Sequence, residues 1–259
     1  MNIEGRGVQS IEVGGRILIV LSTAGGALML KDIAALAAIP AAQAHAYLVS
    51  FRKLGLIEQD ARGLYQLGPL ALQLGVARMR SHEPLRLACT AAGELAAQIG
   101  MMVTVSVWGT HGPTIVQVNE GGDQVHVNLR AGTVYSIVGT ATGKVFAAFM
   151  PESLVWPYVR AEISKKKQAD TTSASHPTAF RREIAKIKRL GYGTALGNPI
   201  PGVNAISSPV YDHTRQMKLA ITIIGLAKNL DVGAESKDVK ELLKFTGLLS
   251  AQNGYMNVE

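Results

Sequence analysis

The sequence predicts an α+β chain of two domains, a small helical module closed by a hairpin and then a helix-flanked, mostly antiparallel sheet. Three observations predict it. Before residue 68, three apolar segments with helical spacing are separated by Gly-Gly and by proline, and a short strand pair follows. After residue 85, alternating segments such as "MVTVSVWG" and "KLAITIIG" interleave with amphipathic ones. Between the two parts, "HEP" at 82–84 breaks a helical run and marks the domain boundary.

In "VQSIEVGGRILIVLSTAGG", polar Ser10 leads a segment whose Ile11, Ile17, Leu18 and Leu21 are read as one helical stripe, ended by Gly25 and Gly26. "LMLKDIAALAAI" follows, with Ile33, Leu36 and Ala37 at helical spacing, and Pro40 prevents smooth continuation. In "PAAQAHAYLVSFRKLGLI" (40–57), Ala44, Leu48 and Phe51 stand at i, i+4 and i+7. They bury one face and leave Gln43, His45, Ala46 and Ser50 outside it, and Gly55 closes the helix. "LIEQDARGLYQLG" reads as a hairpin turned by Asp60 to Gly63. Three helices, a tight turn between the last two, and a hairpin make a winged helix-turn-helix over 8–68. That arrangement sets the third helix in the major groove of DNA and lets the wing touch the backbone. Helical triplets with hairpins also serve as protein-interaction modules, so the pattern alone leaves both open. "GPLALQLGVARMRSHEP" is a connecting helix over 69–84, with Pro69 in its first turn.

The second domain, 85–255, begins with an amphipathic helix in "PLRLACTAAGELAAQIG". "MVTVSVWG", "TIVQVNE" and "QVHVNLR" read as strands, and "TATGKVFAAFM" as a helix stopped by Pro151. A short helix in "PESLVWPYVRAEI" and a loop, "SKKKQADTTSASHP", precede a helix carrying Phe180, Ile184, Ile187 and Leu190 on one face. Strands return in "VNAISSPVYD" and "KLAITIIG", and "SKDVKELLKFTGLLSAQ" is the closing helix. Such a domain is shaped to hold a small ligand.

Composition excludes several classes. The N-terminus lacks the basic start and apolar run of a signal peptide, and runs such as "AALAAIPAA" are too short to span a bilayer. A single cysteine, Cys89, rules out an intramolecular disulfide and suits a reducing cytoplasm. The net charge of +7 permits nucleic-acid binding without establishing it. Up to Glu83 there are 8 Lys+Arg against 6 Asp+Glu, so little of the excess sits on the winged module. The basic runs "KKK" and "RREIAKIKR" lie far downstream and read as solvated surface. The six histidines show no metal-ligand spacing with Cys89 or nearby carboxylates, and no nucleophile elbow or zinc-protease motif is present. "GTATGKV" at 139–145 imitates a phosphate loop but has three residues between its glycines, and Val145 where a magnesium-binding hydroxyl belongs. The stretch still opens a helix whose N–H groups form a ready anion site, and Thr140 or Thr142 can cap it. No cofactor or metal is expected, and the chain does not read as an enzyme.

The pieces "VQSIEVGGRIL", "LKDIAALAAIPAAQAHAYLVSFRKLGLIEQD", "GLYQLGPLALQLG", "GTATGKVFAAFMP", "LGYG" and "PGVNAISSPVYD" occur in order along nearly the whole chain. In that order and spacing the chain resembles IclR-type transcriptional regulators. The resemblance implies a GAF-like effector-binding domain after the linker helix, and homodimers or dimers of dimers acting on paired half-sites of double-stranded operator DNA. It also implies a pocket at Tyr135, Thr140, Ala141, Ala205, Ser207 and Thr222. Strand alternation independently puts Ala205 with Ser207 on one face. Members often carry acidic residues after "GYG"; here "TALGNPI" has none. A small, apolar, hydroxyl-bearing pocket without a fixed charge suits a small or aromatic carboxylic acid from catabolism better than a cation.

On the reading helix, members commonly carry Ser or Thr and Arg where this chain has Ala42, Gln43 and Ala46. Gln43 can bond adenine bidentately and an alanine methyl can pack on the thymine methyl, so A·T-rich half-sites are expected. Affinity then comes mostly from phosphate contacts, with Arg52, Lys53 and the wing's Arg62 as candidates, beside His45 and Ser50 on the outward face. The alternative is a ligand-binding or catalytic GAF-like protein whose helical module binds protein. Binding to its own upstream DNA that survives competitor DNA separates the two.

Overall fold

Helix α1 (Gln9–Thr23) opens a computed structural model that describes residues 7–81, 83–122, 128–169 and 177–256. Its buried face is Val13, Gly14, Ile17 and Leu21. Ile11, expected on that stripe, is 74% exposed, because six residues back from Ile17 is roughly 240° round the helix. Ser10 stands inside the helix, with Val8 before it. In α2 (Leu30–Leu36) the buried residues are Ile33 and Ala34, joined by Ala37 beyond its end; the strip leans away from Leu36, which is 64% exposed. Ala38 turns the chain with φ +54°, and Ile39 N donates to Ala34 O. Helix α3 (Ala41–Leu54) leaves that turn at 108° to α2, within the range of a helix-turn-helix.

Ala44 and Leu48 of α3 are fully buried against Ile17, Ile33 and Ile57. A left-handed Gly55 ends α3, its N–H bonding Arg52 O while Leu56 N reaches Phe51 O. Strands β1 (Ile57–Gln59) and β2 (Tyr65–Leu67) form the expected antiparallel hairpin. Leu28 and Tyr65 exchange both backbone hydrogen bonds, at 2.9 and 2.8 Å, so the α1–α2 connection adds a third rung and ties the wing to the helices. Helix α4 (Pro69–Ser81) follows. This unit ends at His82, and the second begins at Glu83.

The second unit holds α5 (Pro84–Ile99), β3 (Met102–Gly109), β4 (Gly112–Asn119), α6 (Ala141–Phe149), α7 (Glu152–Ala169), α8 (Pro177–Leu190), β5 (Gly193–Leu196), β6 (Val203–Tyr211), β7 (Met217–Leu226) and α9 (Lys237–Gln252). Its strands pair antiparallel throughout in the order β4-β3-β7-β6-β5. Odd-numbered residues of β3 and β7, among them Val103, Val105, Ile221 and Ile223, pack with Ala92 and Leu95 of α5 and Leu242 of α9. The opposite face meets α6, and beyond it α7 and α8, through Val145, Phe146, Val159 and Ile184. With both faces covered, β7 is buried at every residue from Leu219 to Gly225, which explains its near-continuous apolar run.

Three expectations need correction. The strand read in "QVHVNLR" is absent at 128–130, and the rest of it lies outside the described residues apart from Asn128 to Arg130. Instead residues 132–135 run along β4, with Gly132 N on Ile115 O, Ile115 N on Thr133 O and Tyr135 N on Pro113 O. Helix α7 passes through Pro157 and continues to Ala169, where a loop was read from Ser164; the apolar periodicity stops at Ile163, so the lysine-rich turns carried no packing signal. Residues 170–176 lie outside the described residues. Strand β5 was not read at all, because four residues beginning with glycine hold too little alternation to register.

Candidate functional site

On the first unit, Ala42, Gln43, His45, Ala46 and Ser50 are exposed on α3, as are Arg52 and Lys53 in its last turn. Val49, not singled out from sequence, shares that face at 36% exposure. Pro40 precedes the helix without a side-chain cap, so the first amides of α3 point outward unspent. Ser50 Oγ donates to Ala46 O, 3.1 Å, inside its own helix. Arg52 Nη1 donates to Gln59 Oε1, 2.9 Å, and Gln59 Nε2 donates to Gly63 O, 3.0 Å, so the end of α3 is joined to the wing turn. Arg62, at the tip, is held by Asp60, whose Oδ2 accepts from Nε and Nη2 at 3.0 and 2.9 Å. Asp60 Oδ1 accepts the Arg62 and Leu64 amides, and the Leu64 bond foremost holds its carboxyl below the usual carboxylate range. The wing therefore presents an arginine that shares its charge with its own turn.

The second unit contains a cavity of about 240 Å³ between the start of α6, the 129–136 segment and the sheet. The structure brings Tyr135, Thr140, Ala141, Ala205 and Thr222 to its wall, and sets Ser207 one layer behind Thr222. Its described lining is uncharged throughout. Thr140 is the N-cap of α6: its Oγ1 accepts from Gly143 N at 3.0 Å and donates to Ser136 O at 2.7 Å. Thr142 lies within the helix and does not cap it. The amides of Ala141 and Thr142, the first two of α6, have no acceptor among the described residues. The loop before them is pinned from α7, where Glu162 accepts from Ser136 Oγ and, at 2.8 Å, from Ile137 N, while Gly139 N donates to Ser136 Oγ.

Beneath the cavity, Thr104, Thr222 and Ser207 are register neighbours across β3, β7 and β6. Thr142 Oγ1 stands 2.7 Å from Thr222 Oγ1, which donates to Ser207 Oγ at 2.9 Å; Ser207 donates to Ile221 O at 3.2 Å. Tyr135 OH lies 3.3 Å from Thr104 Oγ1. Burial pushes the Tyr135 phenol up to about 12, so it keeps its proton across physiological pH. Thr104 was missed in the sequence because strand register, which alone aligns it with Thr222, is not written in local pattern. Trp108 belongs to the core, its ring 5.9 Å from Phe146 and edge-on to Tyr158 at 5.5 Å.

Two family models match the chain: the IclR helix-turn-helix domain over residues 10–61 and the bacterial transcriptional regulator IclR C-terminal domain over 79–248. Among curated proteins, the glycerol operon regulatory protein of Streptomyces coelicolor is 29% identical over 226 residues, 87% of each chain. The transcriptional repressor AllR of Klebsiella pneumoniae is 24% identical over 227 residues, 87% of this chain and 82% of that one. Among solved structures, HmgR of Pseudomonas aeruginosa is 31% identical and superposes with a TM-score of 0.79, covering 97% of this chain and all of that one. The repressor BlcR of Agobacterium tumefaciens shares the fold at 19% identity, TM-score 0.70, over 96% of this chain and 99% of the other.

Proposed function

The chain belongs to the IclR family of DNA-binding transcriptional regulators, and from that premise we propose that it answers to a small organic acid held in the cavity at the start of α6. The observation that carries this is an uncharged cavity whose polar end is a helix N-terminus with two amides unspent. A carboxylate there gains the N–H groups and the positive end of the helix dipole, whereas a cation would find no counter-charge in the described wall. At about 240 Å³ the cavity holds on the order of ten non-hydrogen atoms, an aliphatic acid or a single-ring aromatic acid.

In this reading α3 enters the major groove through Ala42, Gln43 and Ala46, with phosphate contacts from Arg52, Lys53 and Arg62, in the cytoplasm where its operator lies. One winged helix reads too few base pairs for a unique operator, so the working form is a homodimer or dimer of dimers on paired half-sites. The effector regulates by binding one arrangement of the paired winged helices better than another. Ala141→Asp tests the site: a carboxylate beside the helix start repels an acidic effector, so calorimetric binding of benzoate-sized acids is lost while operator binding persists. Unchanged affinity for those acids in the variant refutes the placement.

A further inference from the structure

The hydroxyl row beneath the cavity has a direction. Ser207 spends its proton on Ile221 O, and Thr222 spends its proton on Ser207 Oγ. A hydroxyl carries one proton, so in the 2.7 Å contact between Thr142 and Thr222 the donor is Thr142. Tyr135 OH lies against both Thr104 and Thr142. Thr142 has no proton left to give, so Tyr135 donates to Thr142, and Thr104 is the group that can donate to Tyr135. The chain runs from Thr104 through Tyr135, Thr142, Thr222 and Ser207 to a backbone carbonyl. Thr142 and Thr222 are 1% exposed, which leaves Tyr135 as the row's contact with the cavity.

We infer that Tyr135 meets the effector as a hydrogen-bond acceptor, and that the effector is therefore a hydroxy acid whose hydroxyl donates to the Tyr135 oxygen. The inference rests on the acid reading of the cavity and adds a second anchor on its opposite polar side. The carboxylate takes the donors of the α6 start, and the hydroxyl supplies the one donor that the row lacks. A plain, fluoro- or oxo-substituted acid leaves the Tyr135 lone pair facing it without a proton. Thr142 acts through Tyr135 as a positioning residue, because it fixes where the phenol's proton points.

The test is calorimetric titration of the full-length protein with the ortho, meta and para hydroxybenzoates, their fluoro and formyl counterparts, and phenol. At least one hydroxybenzoate is expected to bind about ten- to a hundredfold more tightly than its fluoro and formyl partners, the cost of leaving a buried polar group unmatched. Tyr135→Phe closes that gap. Thr142→Val, whose fold is checked by an unchanged melting transition, returns the phenol's proton to the cavity and raises affinity for the formyl acid, which can only accept. Hydroxy and fluoro acids binding alike overturns the inference and leaves the acid reading standing. Phenol binding as tightly as the hydroxybenzoates overturns the acid reading and leaves the donor requirement standing. If none of the probes binds, both fall.

Discussion

Replacing Gly143 with alanine should destabilise the second unit even though alanine is the better helix former. Gly143 is the third residue of α6, and a Cβ built there lies 2.2 Å from Ser136 O, 2.4 Å from Ile137 Cα and 2.7 Å from Ile137 O. All three atoms are backbone, so no rotamer change relieves them. The loop that carries them is itself held by Glu162 and by Thr140. Helix propensity credits alanine with about 1 kcal/mol. Forced overpacking costs about 1–3 kcal/mol, and the pinned backbone argues for the upper end. The net is about 2 kcal/mol of destabilisation, or a fall of roughly 4–8 °C in melting temperature for a unit of this size. Gly247, exposed within α9 with nothing within 4 Å of a Cβ, is the control: alanine there should raise stability by about 0.5–1 kcal/mol. Thermal unfolding of both full-length variants by circular dichroism gives the comparison. A Gly143→Ala protein that melts at or above the parent would refute the close approach of α6 to the 136–137 loop.

On DNA, Gln43→Ala should cost about 1–3 kcal/mol on the best operator and relax preference at one base pair, measured by titration on matched and mutated sites. Equal weakening on all sequences would remove Gln43 from base reading. Arg62→Ala should weaken all sequences alike and lower the salt slope by roughly one, unless the Asp60 pair holds the guanidinium off the phosphates, in which case the slope stays put. Asp212, in the β6–β7 turn, is pushed up by burial, but bonds from Thr214, Lys218 and the Gln216 amide outweigh that and bring it to about 2 from 3.8. Its folded value is depressed, so its stabilising contribution is complete above about pH 4 and is lost as pH falls through 2. Acid unfolding of Asp212→Asn should be correspondingly flatter over that window. Ser106 Oγ is buried without a partner, so Ser106→Ala should stabilise by about 1 kcal/mol, read as a rise in melting temperature.

What local pattern states, the sequence stated well. Ala44, Leu48 and Phe51 announced the inward face of α3, and Thr140 before "ATGKV" announced a cap, because capping and amphipathicity act within one helical turn or two. The errors lie where the deciding contact is distant. Ile11 and Leu36 are apolar at plausible spacings, and only the packing of three helices says which side is inward. The run of α7 past Ile163 carries lysines and no stripe. For the cavity, the resemblance supplied five wall residues and Ser207, but Thr104 and the role of Thr142 depend on the alignment of β3 with β7 and on α6 lying over it. Arg52 and Arg62 were legible as cations; their partners Gln59 and Asp60 follow from the hairpin's closure.

The pairing of residues 132–135 along β4 has a consequence for self-association. A sheet invites another copy wherever a long flank shows unpaired amides and carbonyls. Here the β4 flank is taken up by the chain's own backbone from Gly132 to Tyr135. The other flank, β5, is four residues long, and the Lys144 ammonium already sits 3.2 Å from the carbonyl of Thr194. A second molecule finds no long run of free backbone on the described strands with which to extend the sheet. Copies of this domain are left to meet through side chains, whose complementarity can be specific, and the indiscriminate strand-to-strand stacking that leads to fibrils has little purchase.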